Sequence, residues 1–237
     1  NHVYAGAARF VNCILRSVLR QQDVLIKILD TLPFYAQYSM SKEICGMFIK
    51  WYGLEKAGQI AASLLERPRV TIRTNTLRIR SSELIDRLEK EGQTAYPSQH
   101  IDQSIEVDLT ESSVFSLQSF KDGLFMVQGE SAMLASIIAA PGESDQILDL
   151  CAAPGGKTCH LAELTRDRAS IIAMDVNRSR LSLIEQNLER LGIRSVQTRE
   201  ADATCLNDDY PDYKNAFDLV VADVPCSGLG LLSKKPD

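Results

Sequence analysis

The segment Asp149-Leu-Cys-Ala-Ala-Pro-Gly-Gly-Lys-Thr158 constrains the fold of this 237-residue chain more than any other stretch. The apolar run 146–151 predicts a buried strand, which breaks into a turn at Gly155-Gly156 and opens a helix over 158–164. Glycine in such a turn allows the backbone to approach a ligand closely. The segment therefore predicts an α/β domain that holds a nucleotide-like ligand between a strand and the helix that follows it.

Three more apolar strands follow, and helical segments separate them. The predicted strands are 170–174, 196–199 and 217–222, and the clearest helix is 178–191, closed by Gly192. Strands that alternate with helices predict a parallel sheet with right-handed crossovers.

An acid follows each of these later strands, namely Asp175, Asp202 and Asp223. Ligands of parallel sheets bind outside the carboxyl ends of the strands, so we expect these acids and the glycine turn to form one site. Asp175 lies about twenty residues beyond the turn, where an acid commonly binds ribose hydroxyls. Asp202 is placed to accept from an adenine amino group.

The first half of the chain predicts two smaller parts. Residues 1–66 are predicted helical: an apolar stripe runs over 3–19, a helix from Ser41 ends at Gly53, and another ends before Pro68. Residues 67–128 predict a small α+β module with a strand at 69–74, a helix capped by Ser81 or Ser82, and strands at 104–107 and 124–127. Residues 129–237 then form the domain with the parallel sheet.

Charge is unevenly distributed along the chain. The formal net charge is -5, which argues weakly against a general nucleic-acid coat. One stretch contains five arginines and no acid: Arg67, Arg69, Arg73, Arg78 and Arg80. Such a stretch is either the solvent face of a strand or a patch that contacts phosphate.

The six cysteines are scattered, and no pair has the C-x-x-C spacing of a zinc or redox site, so we expect reduced thiols and no metal. Only Cys226, three residues after Asp223, has surroundings that suggest chemistry.

No apolar run reaches the ~18 residues of a membrane helix, and the first residues lack a signal-peptide pattern. These features predict a cytoplasmic protein without a membrane partner.

Two familiar phosphate-binding loops do not fit the glycine turn. Gly156-Lys157-Thr158 matches the end of a P-loop, but that motif needs glycine where this chain has Cys151. The dinucleotide fingerprint G-x-G-x-x-G is absent as well. A ligand with adenosine and no pyrophosphate, such as S-adenosylmethionine, fits the segment best.

Together, Asp149 to Thr158 and Asp223-Val-Pro-Cys-Ser-Gly228 resemble the RNA cytosine-C5 methyltransferases, and most closely the bacterial Sun (Fmu) type that acts on 16S ribosomal RNA. The resemblance extends to 10–16, which is similar to the end of that family's NusB-like bundle, and to Arg73-Thr-Asn75, which is similar to its RNA-binding N1 region. It implies a Rossmann-like class I methyltransferase domain, here truncated after the fourth strand, behind an α+β RNA-binding module and a NusB-like remnant. One departure is Gln128-Gly-Glu130, where the family has Gln-Asp.

The resemblance also implies roles for individual residues. The loop Cys151, Ala152, Ala153, Pro154, Gly155, Gly156 and Lys157 would wrap the methionine and ribose of S-adenosylmethionine. Asp175 would hold the ribose, Asp202 the adenine, and Arg180 would border the cofactor. Asp223 would contact both the cofactor and the N3/N4 edge of cytosine. The arginines 67, 69, 73, 78 and 80 would contact RNA.

The resemblance implies a reaction in which a thiolate adds to carbon 6 of cytosine and so activates carbon 5 for methylation. The resemblance implies that Cys226 assists product release and that the attacking cysteine follows a later strand, beyond residue 237. Thr158-Cys159 and Thr204-Cys205 imitate the family's Thr-Cys dipeptide but follow the wrong strands. The chain as given is thus expected to be inactive by itself, and the full-length protein to be a monomer. Two alternatives remain, a transfer-RNA methyltransferase and a non-catalytic ribosome-assembly factor.

Overall fold

The structure, a computed structural model, describes residues 5–29, 31–65, 69–109 and 113–226. The described residues divide into two compact units, one up to Leu65 and one over Arg69–Cys226. No helix among these residues is both long and apolar enough to cross a membrane.

The first unit is helical, as predicted. Its helices are α1 (Ala5–Arg20), α2 (Gln22–Leu29), α3 (Phe34–Gln37) and α4 (Lys42–Leu65). Gly53 interrupts α4 with φ 77° and ψ 164°, so the predicted break at this residue is confirmed. A small core forms around Met40, Cys45 and Ala61.

The second unit begins with an antiparallel sheet. Its elements are β1 (Val70–Thr74), α5 (Ser81–Lys90), β2 (Thr94–Pro97), β3 (Ser104–Asp108), α6 (Gln118–Lys121) and β4 (Phe125–Val127). The strand order is β2-β3-β1-β4. Ile72, Leu84, Leu88, Ile105 and Phe125 are fully buried and form the core between this sheet and its helices.

Two details of this module differ from the sequence prediction. Strand β2 was not predicted; it is a short edge strand that ends in proline, which weakens its pattern. The residue that precedes the first turn of α5 is Arg80, not a serine, and its backbone N–H donates to the Glu83 carboxylate. The hydroxyl of Ser81 donates instead to the carbonyl of Asp102.

The rest of the second unit is the predicted parallel sheet with helices. Its elements are α7 (Glu130–Ala139), β5 (Gln146–Asp149), α8 (Gly156–Leu164), β6 (Ser170–Asp175), α9 (Arg178–Leu191), β7 (Val196–Glu200), α10 (Leu206–Asp209) and β8 (Leu219–Val221). All three strand pairings are parallel, and Leu148 of β5 lies between Ile172 of β6 and Val220 of β8.

The strand order β7-β6-β5-β8 determines where a ligand can bind. The chain moves from β5 through β6 to β7 in one direction, and β8 then returns to the opposite side of β5. Strand order therefore reverses between β5 and β8, and in open parallel sheets the ligand crevice lies outside the carboxyl ends of the strands at such a point. The predicted domain boundaries at 66/67 and 128/129 stay predictions.

Candidate cofactor site

Two adjoining cavities lie at the carboxyl ends of β5, β6 and β8. The larger, of about 670 Å³, has Asp175, Arg180, Asp202 and Cys226 in its wall. The smaller, of about 270 Å³, is bounded by Gln128, Asp149 and Lys157 together with the loop that follows β5. Both cavities contact Cys151, Ala153 and Asp223, so the two spaces meet at these residues.

The loop from Cys151 to Lys157 is held in shape by residues of β6 and α9. Gly155 has φ 99°, a value that favours glycine, and a Cβ there would lie 3.3 Å from the Ile184 side chain. Arg180 Nη2 donates to the Ala153 carbonyl at 2.8 Å, and Asn187 donates to the Pro154 carbonyl at 3.1 Å. Contacts from α9 therefore fix the backbone of the loop.

Asp175 lies at the end of β6 and is only 2% exposed. Its carboxylate accepts from the backbone N–H of Ala153 at 3.3 Å and of Asn177 at 3.1 Å, and it pairs with Arg180 at 3.3 Å. A buried carboxylate fixed from three sides can present its remaining acceptor capacity in one direction.

Asp202 follows β7 and is exposed to the larger cavity. Its side chain accepts from the backbone N–H and from the hydroxyl of Thr204, at 2.9 and 2.7 Å. These hydrogen bonds lower the pKa of the Asp202 carboxyl. The ionised group is therefore favoured at the rim of the cavity.

Asp223 and Cys226 lie beyond the end of β8, and both contact the larger cavity. Asp223 is 61% exposed and pairs with Lys157 Nζ at 2.5 Å, across the gap between the loops that follow β5 and β8. Cys226 is exposed. The structure thus brings the predicted residues of both sequence motifs to one place.

Asp149 and Gln128 belong to this site but were not predicted as site residues. Burial raises the pKa of Asp149 to about 6, partly opposed by a hydrogen bond that Thr158 donates to Oδ2 at 2.7 Å. Asp149 Oδ1 and Gln128 Nε2 are buried and have no hydrogen-bond partner among the described residues. The position of Asp149 at the start of the glycine segment and the position of Gln128 where the family has Gln-Asp were both available signals.

The prediction that Arg73 contacts RNA is corrected by its burial. Arg73 is 0% exposed and its Nε and Nη2 donate to the Glu163 carboxylate at 2.9 and 2.8 Å. Its Nη1 donates to the Gly156 carbonyl at 2.8 Å and to Gln128 Oε1. Arg73 thus extends from β1 to the first residue of α8 and supports the cofactor loop from behind.

The other arginines of this stretch differ in their surroundings. Arg69 is half-exposed, pairs with Glu106 and Asp108, and stacks on Tyr96. Arg78 is exposed and donates to the Asp122 carbonyl at 2.5 Å. Arg80 is 83% exposed beside Glu83, and Arg67 lies outside the described residues. A phosphate would therefore compete with carboxylates at Arg69 and Arg80.

Further polar contacts fix the antiparallel module against the parallel-sheet domain. Asn75 Nδ2 donates to the carbonyls of Gly123 and Leu191, both at 2.9 Å. Arg190 donates to the carbonyls of Phe120 and Phe125, both at 2.9 Å. A Cβ at Gly123 would lie 1.8 Å from the Arg190 carbonyl oxygen, so the close approach requires glycine. Side-chain hydrogen bonds and a close backbone approach therefore join the two sheets.

The parallel sheet has this switch point, a glycine loop after its first strand and acids after the next strands. These features define the class of Rossmann-like domains that bind a nucleotide-like cofactor. The family model described as "16S rRNA methyltransferase RsmB/F" matches residues 136–237, and that of the RsmF/B-like ferredoxin-like domain matches 44–112. The chain belongs to the RsmB/F family of methyltransferases.

Curated relatives match nearly the whole chain. The probable ribosomal RNA small subunit methyltransferase B of Bacillus subtilis is 29% identical over 99% of this chain and 52% of its own length. The corresponding protein of Proteus mirabilis is 31% identical over 96% of the chain and 52% of its own length. A human 28S rRNA (cytosine(4447)-C(5))-methyltransferase is 33% identical over 91% of the chain and 26% of its own length. The chain thus spans about half the length of the bacterial relatives.

Solved structures agree with the fold. A methyltransferase homolog protein from Pyrococcus horikoshii is 29% identical and superimposes with a TM-score of 0.70, over 82% of this chain and 62% of that one. NSun6 from the same organism, with SFG, has a TM-score of 0.71 at 24% identity, over 80% of this chain and 71% of its own, and shows the fold alone. The predicted family resemblance and fold class are confirmed.

Proposed function

We propose that this protein methylates carbon 5 of a cytosine in 16S ribosomal RNA, with S-adenosylmethionine as the methyl donor. The observation that carries the proposal is the pair of adjoining cavities at the strand-order reversal, which both sequence motifs line. Ribosomal RNA small subunit methyltransferases B are among the relatives that match this chain over nearly its full length.

The residues present fit S-adenosylmethionine, which supplies a methyl group on a sulfonium centre when it is bound. Asp175 offers a fixed carboxylate for ribose hydroxyls, and Asp202 offers an ionised acceptor for the adenine amino group. Arg180 borders the ribose side because it pairs with Asp175. The loop 151–157 supplies the wall, and the unpartnered buried atoms of Gln128 and Asp149 are groups that a polar ligand would satisfy.

The proposed reaction on the base follows from the chemistry of cytosine. Carbon 5 is a poor nucleophile until a thiolate adds to carbon 6, which moves electron density onto carbon 5. Once carbon 5 carries the methyl group, a base removes its proton as the bond between carbon 6 and sulfur breaks. We assign Asp223 to the N3/N4 edge of the base and Cys226 to the release step, because both lie at the rim of the larger cavity.

We assign the attack on carbon 6 to neither Cys159 nor Cys205, the two cysteines that follow a threonine as the family's attacking cysteine does. Cys159 is fully buried, and burial raises its pKa to about 12, so a thiolate is strongly disfavoured there. Cys205 is exposed beside Thr204, in the short helical turn that follows β7. It is not one of the described residues that line the two cavities. We therefore expect the 237-residue chain to bind the cofactor without catalysing methyl transfer.

The RNA surface is proposed to include Arg67, Arg69, Arg78 and Arg80. Arg69, Arg78 and Arg80 retain exposed guanidinium surface, and charge-assisted contacts with phosphate position RNA without reading its sequence. The target base must leave its stack to reach the site, as for other enzymes that act on bases. We expect such an enzyme to be located in the cytoplasm, together with its ribosomal substrate.

Deletion of the gene, followed by mapping of 5-methylcytosine in all stable RNA, tests the proposed substrate. We expect one methylated position of 16S ribosomal RNA to disappear and to return when the gene is restored. Loss of a position in transfer RNA would favour a transfer-RNA methyltransferase instead. Unchanged methylation with slowed small-subunit assembly would favour a non-catalytic assembly factor.

A further inference from the structure

We propose that Gln128 binds the carboxylate of the amino-acid end of S-adenosylmethionine and that the buried Arg73 is the positioning residue that orients it. The inference rests on the proposed function, since it assigns one end of the proposed cofactor to the smaller cavity. It also gives a residue of the antiparallel module a part in the cofactor site.

The orientation of the Gln128 amide follows from its contact with Arg73. A guanidinium has donors only, so the atom of Gln128 that binds Arg73 Nη1 must be the oxygen, Oε1. Arg73 cannot turn away, because its other nitrogens donate to Glu163 at 2.9 and 2.8 Å. The amide nitrogen Nε2 is thereby directed to the opposite side.

The side chain of Gln128 lies in the wall of the smaller cavity, and its Nε2 is buried there. Gln128 is 7% exposed, contacts the cavity, and its Nε2 has no hydrogen-bond partner among the described residues. A Cβ built on Gly156 would lie 3.6 Å from Nε2, which places the amide beside the first residue of α8. A buried N–H without a partner is costly, and a ligand oxygen would remove that cost.

The charges around the smaller cavity match a zwitterion. Lys157, which also pairs with Asp223, and Gln128 provide donors for a carboxylate. The unpartnered Oδ1 of Asp149 provides an acceptor for an ammonium group. The larger cavity holds Asp175 and Asp202, the acceptors suited to adenosine. Because the cavities meet at Cys151, Ala153 and Asp223, one elongated ligand can occupy both, with its amino-acid end beside Gln128.

Calorimetry with two ligands separates this contact from general damage to the site. S-adenosylhomocysteine carries the amino-acid end, and 5′-methylthioadenosine has the same nucleoside without it. In the 237-residue chain, Gln128→Met should weaken binding of S-adenosylhomocysteine by about tenfold or more, the range for hydrogen bonds to charged groups. Binding of 5′-methylthioadenosine should change by less than about twofold, since no contact of that ligand is lost.

Three further variants sharpen the test. Gln128→Glu keeps an oxygen for Arg73 but directs a second oxygen at the ligand carboxylate, so its selective loss should exceed that of Gln128→Met. Arg73→Lys, which cannot bind Glu163 and Gln128 together in the same way, should also lose S-adenosylhomocysteine selectively. Gln118→Met is the matched control, because Gln118 is exposed on α6 and should leave both affinities unchanged.

Each outcome decides the inference. A selective loss for S-adenosylhomocysteine in both Gln128 variants supports it. Equal losses for both ligands, or no loss for either, would overturn it while the proposed function stands. Loss of binding to a cytidine oligonucleotide with S-adenosylhomocysteine unaffected would assign the cavity to the base and also overturn it. If the wild-type chain binds neither ligand, the inference and the proposed cofactor both fail.

Discussion

Arg73 and Glu163 form a fully buried ion pair that joins β1 to α8, with Nη2 and Oε1 2.8 Å apart and neither side chain exposed. Burial raises the pKa of the Glu163 carboxyl, and the guanidinium of Arg73 opposes that shift. The pair is surrounded by the contacts of Arg73 with Gly156 and Gln128, so removal of one partner leaves several buried groups unsatisfied.

Arg73→Met should therefore lower the free energy of unfolding by about 3–5 kcal/mol, the usual cost of leaving half of a buried pair. Arg80→Met is the matched control, because that arginine is 83% exposed, and it should change stability by less than about 0.5 kcal/mol. Adding Glu163→Leu to Arg73→Met should cost less than the sum of the two single changes. Urea unfolding of the wild type, Arg73→Met, Glu163→Leu, the double variant and Arg80→Met measures these costs. Equal costs for Arg73→Met and Arg80→Met would contradict the structural role.

His160 should contribute to the acid sensitivity of the chain. Burial first, and then the charge of Arg73, lower its pKa from 6.5 to about 3, while its Nε2 lies 2.8 Å from Gln103 Oε1. The folded state thus disfavours the charged imidazole, so the stability due to this group is complete above pH 6.5 and is lost as the pH falls toward 3.

His160→Gln removes this titration. Between pH 6.5 and 3 the unfolding free energy of the variant should fall less steeply than that of the wild type, with a difference of up to about 1.4 kcal/mol per pH unit. His100→Gln, at an exposed position, should leave the slope unchanged. Parallel curves for the wild type and His160→Gln would show that this imidazole titrates equally in both states.

Asp149 should change the pH dependence of stability in the direction opposite to His160. Its folded pKa of about 6 lies above the ordinary 3.8, so the folded state favours the neutral carboxyl, and ionisation above that range destabilises the fold. Between pH 4 and 7, Asp149→Asn should gain stability relative to the wild type by up to about 3 kcal/mol. Asp86→Asn, on the exposed side of α5, should show no such gain. A constant difference across this pH range would contradict the raised pKa.

How far the sequence predicts this site depends on the residue. The acids after the strands and the glycine turn were predictable, because parallel topology places strand ends together and Gly155 needs a positive φ. Arg73 was misjudged because Val70 and Ile72 alternate with polar residues, a pattern that indicates a half-exposed strand. In the structure the parallel-sheet domain covers the second face of β1, so Ile72, Arg73 and Thr74 are all buried. Gln128 was missed because only the departure from Gln-Asp directly after it was considered, and an amide alone has no distinctive spacing.

Thiol labelling should distinguish the cysteines of the folded chain. Cys159 and Cys45 are buried, and burial raises both pKa values, so iodoacetamide should leave them unmodified at neutral pH. Cys226 is exposed and contacts the larger cavity, so S-adenosylhomocysteine should slow its modification, whereas the exposed Cys13 in the first unit should be unaffected. Mass spectrometry of peptides gives the rates, and equal protection of Cys226 and Cys13 would contradict the proposed ligand position.

The central claim is that the strand ends of the parallel sheet form the S-adenosylmethionine site, with Asp175 as its fixed carboxylate. Titration calorimetry of the 237-residue chain with S-adenosylhomocysteine and 5′-methylthioadenosine tests it most directly. Wild type should bind both ligands, and Asp175→Asn should weaken both by about tenfold or more, because both carry the ribose that this carboxylate holds. Asp86→Asn should bind both as the wild type does. Absence of binding to the wild type, or unchanged affinities in Asp175→Asn, would contradict the account.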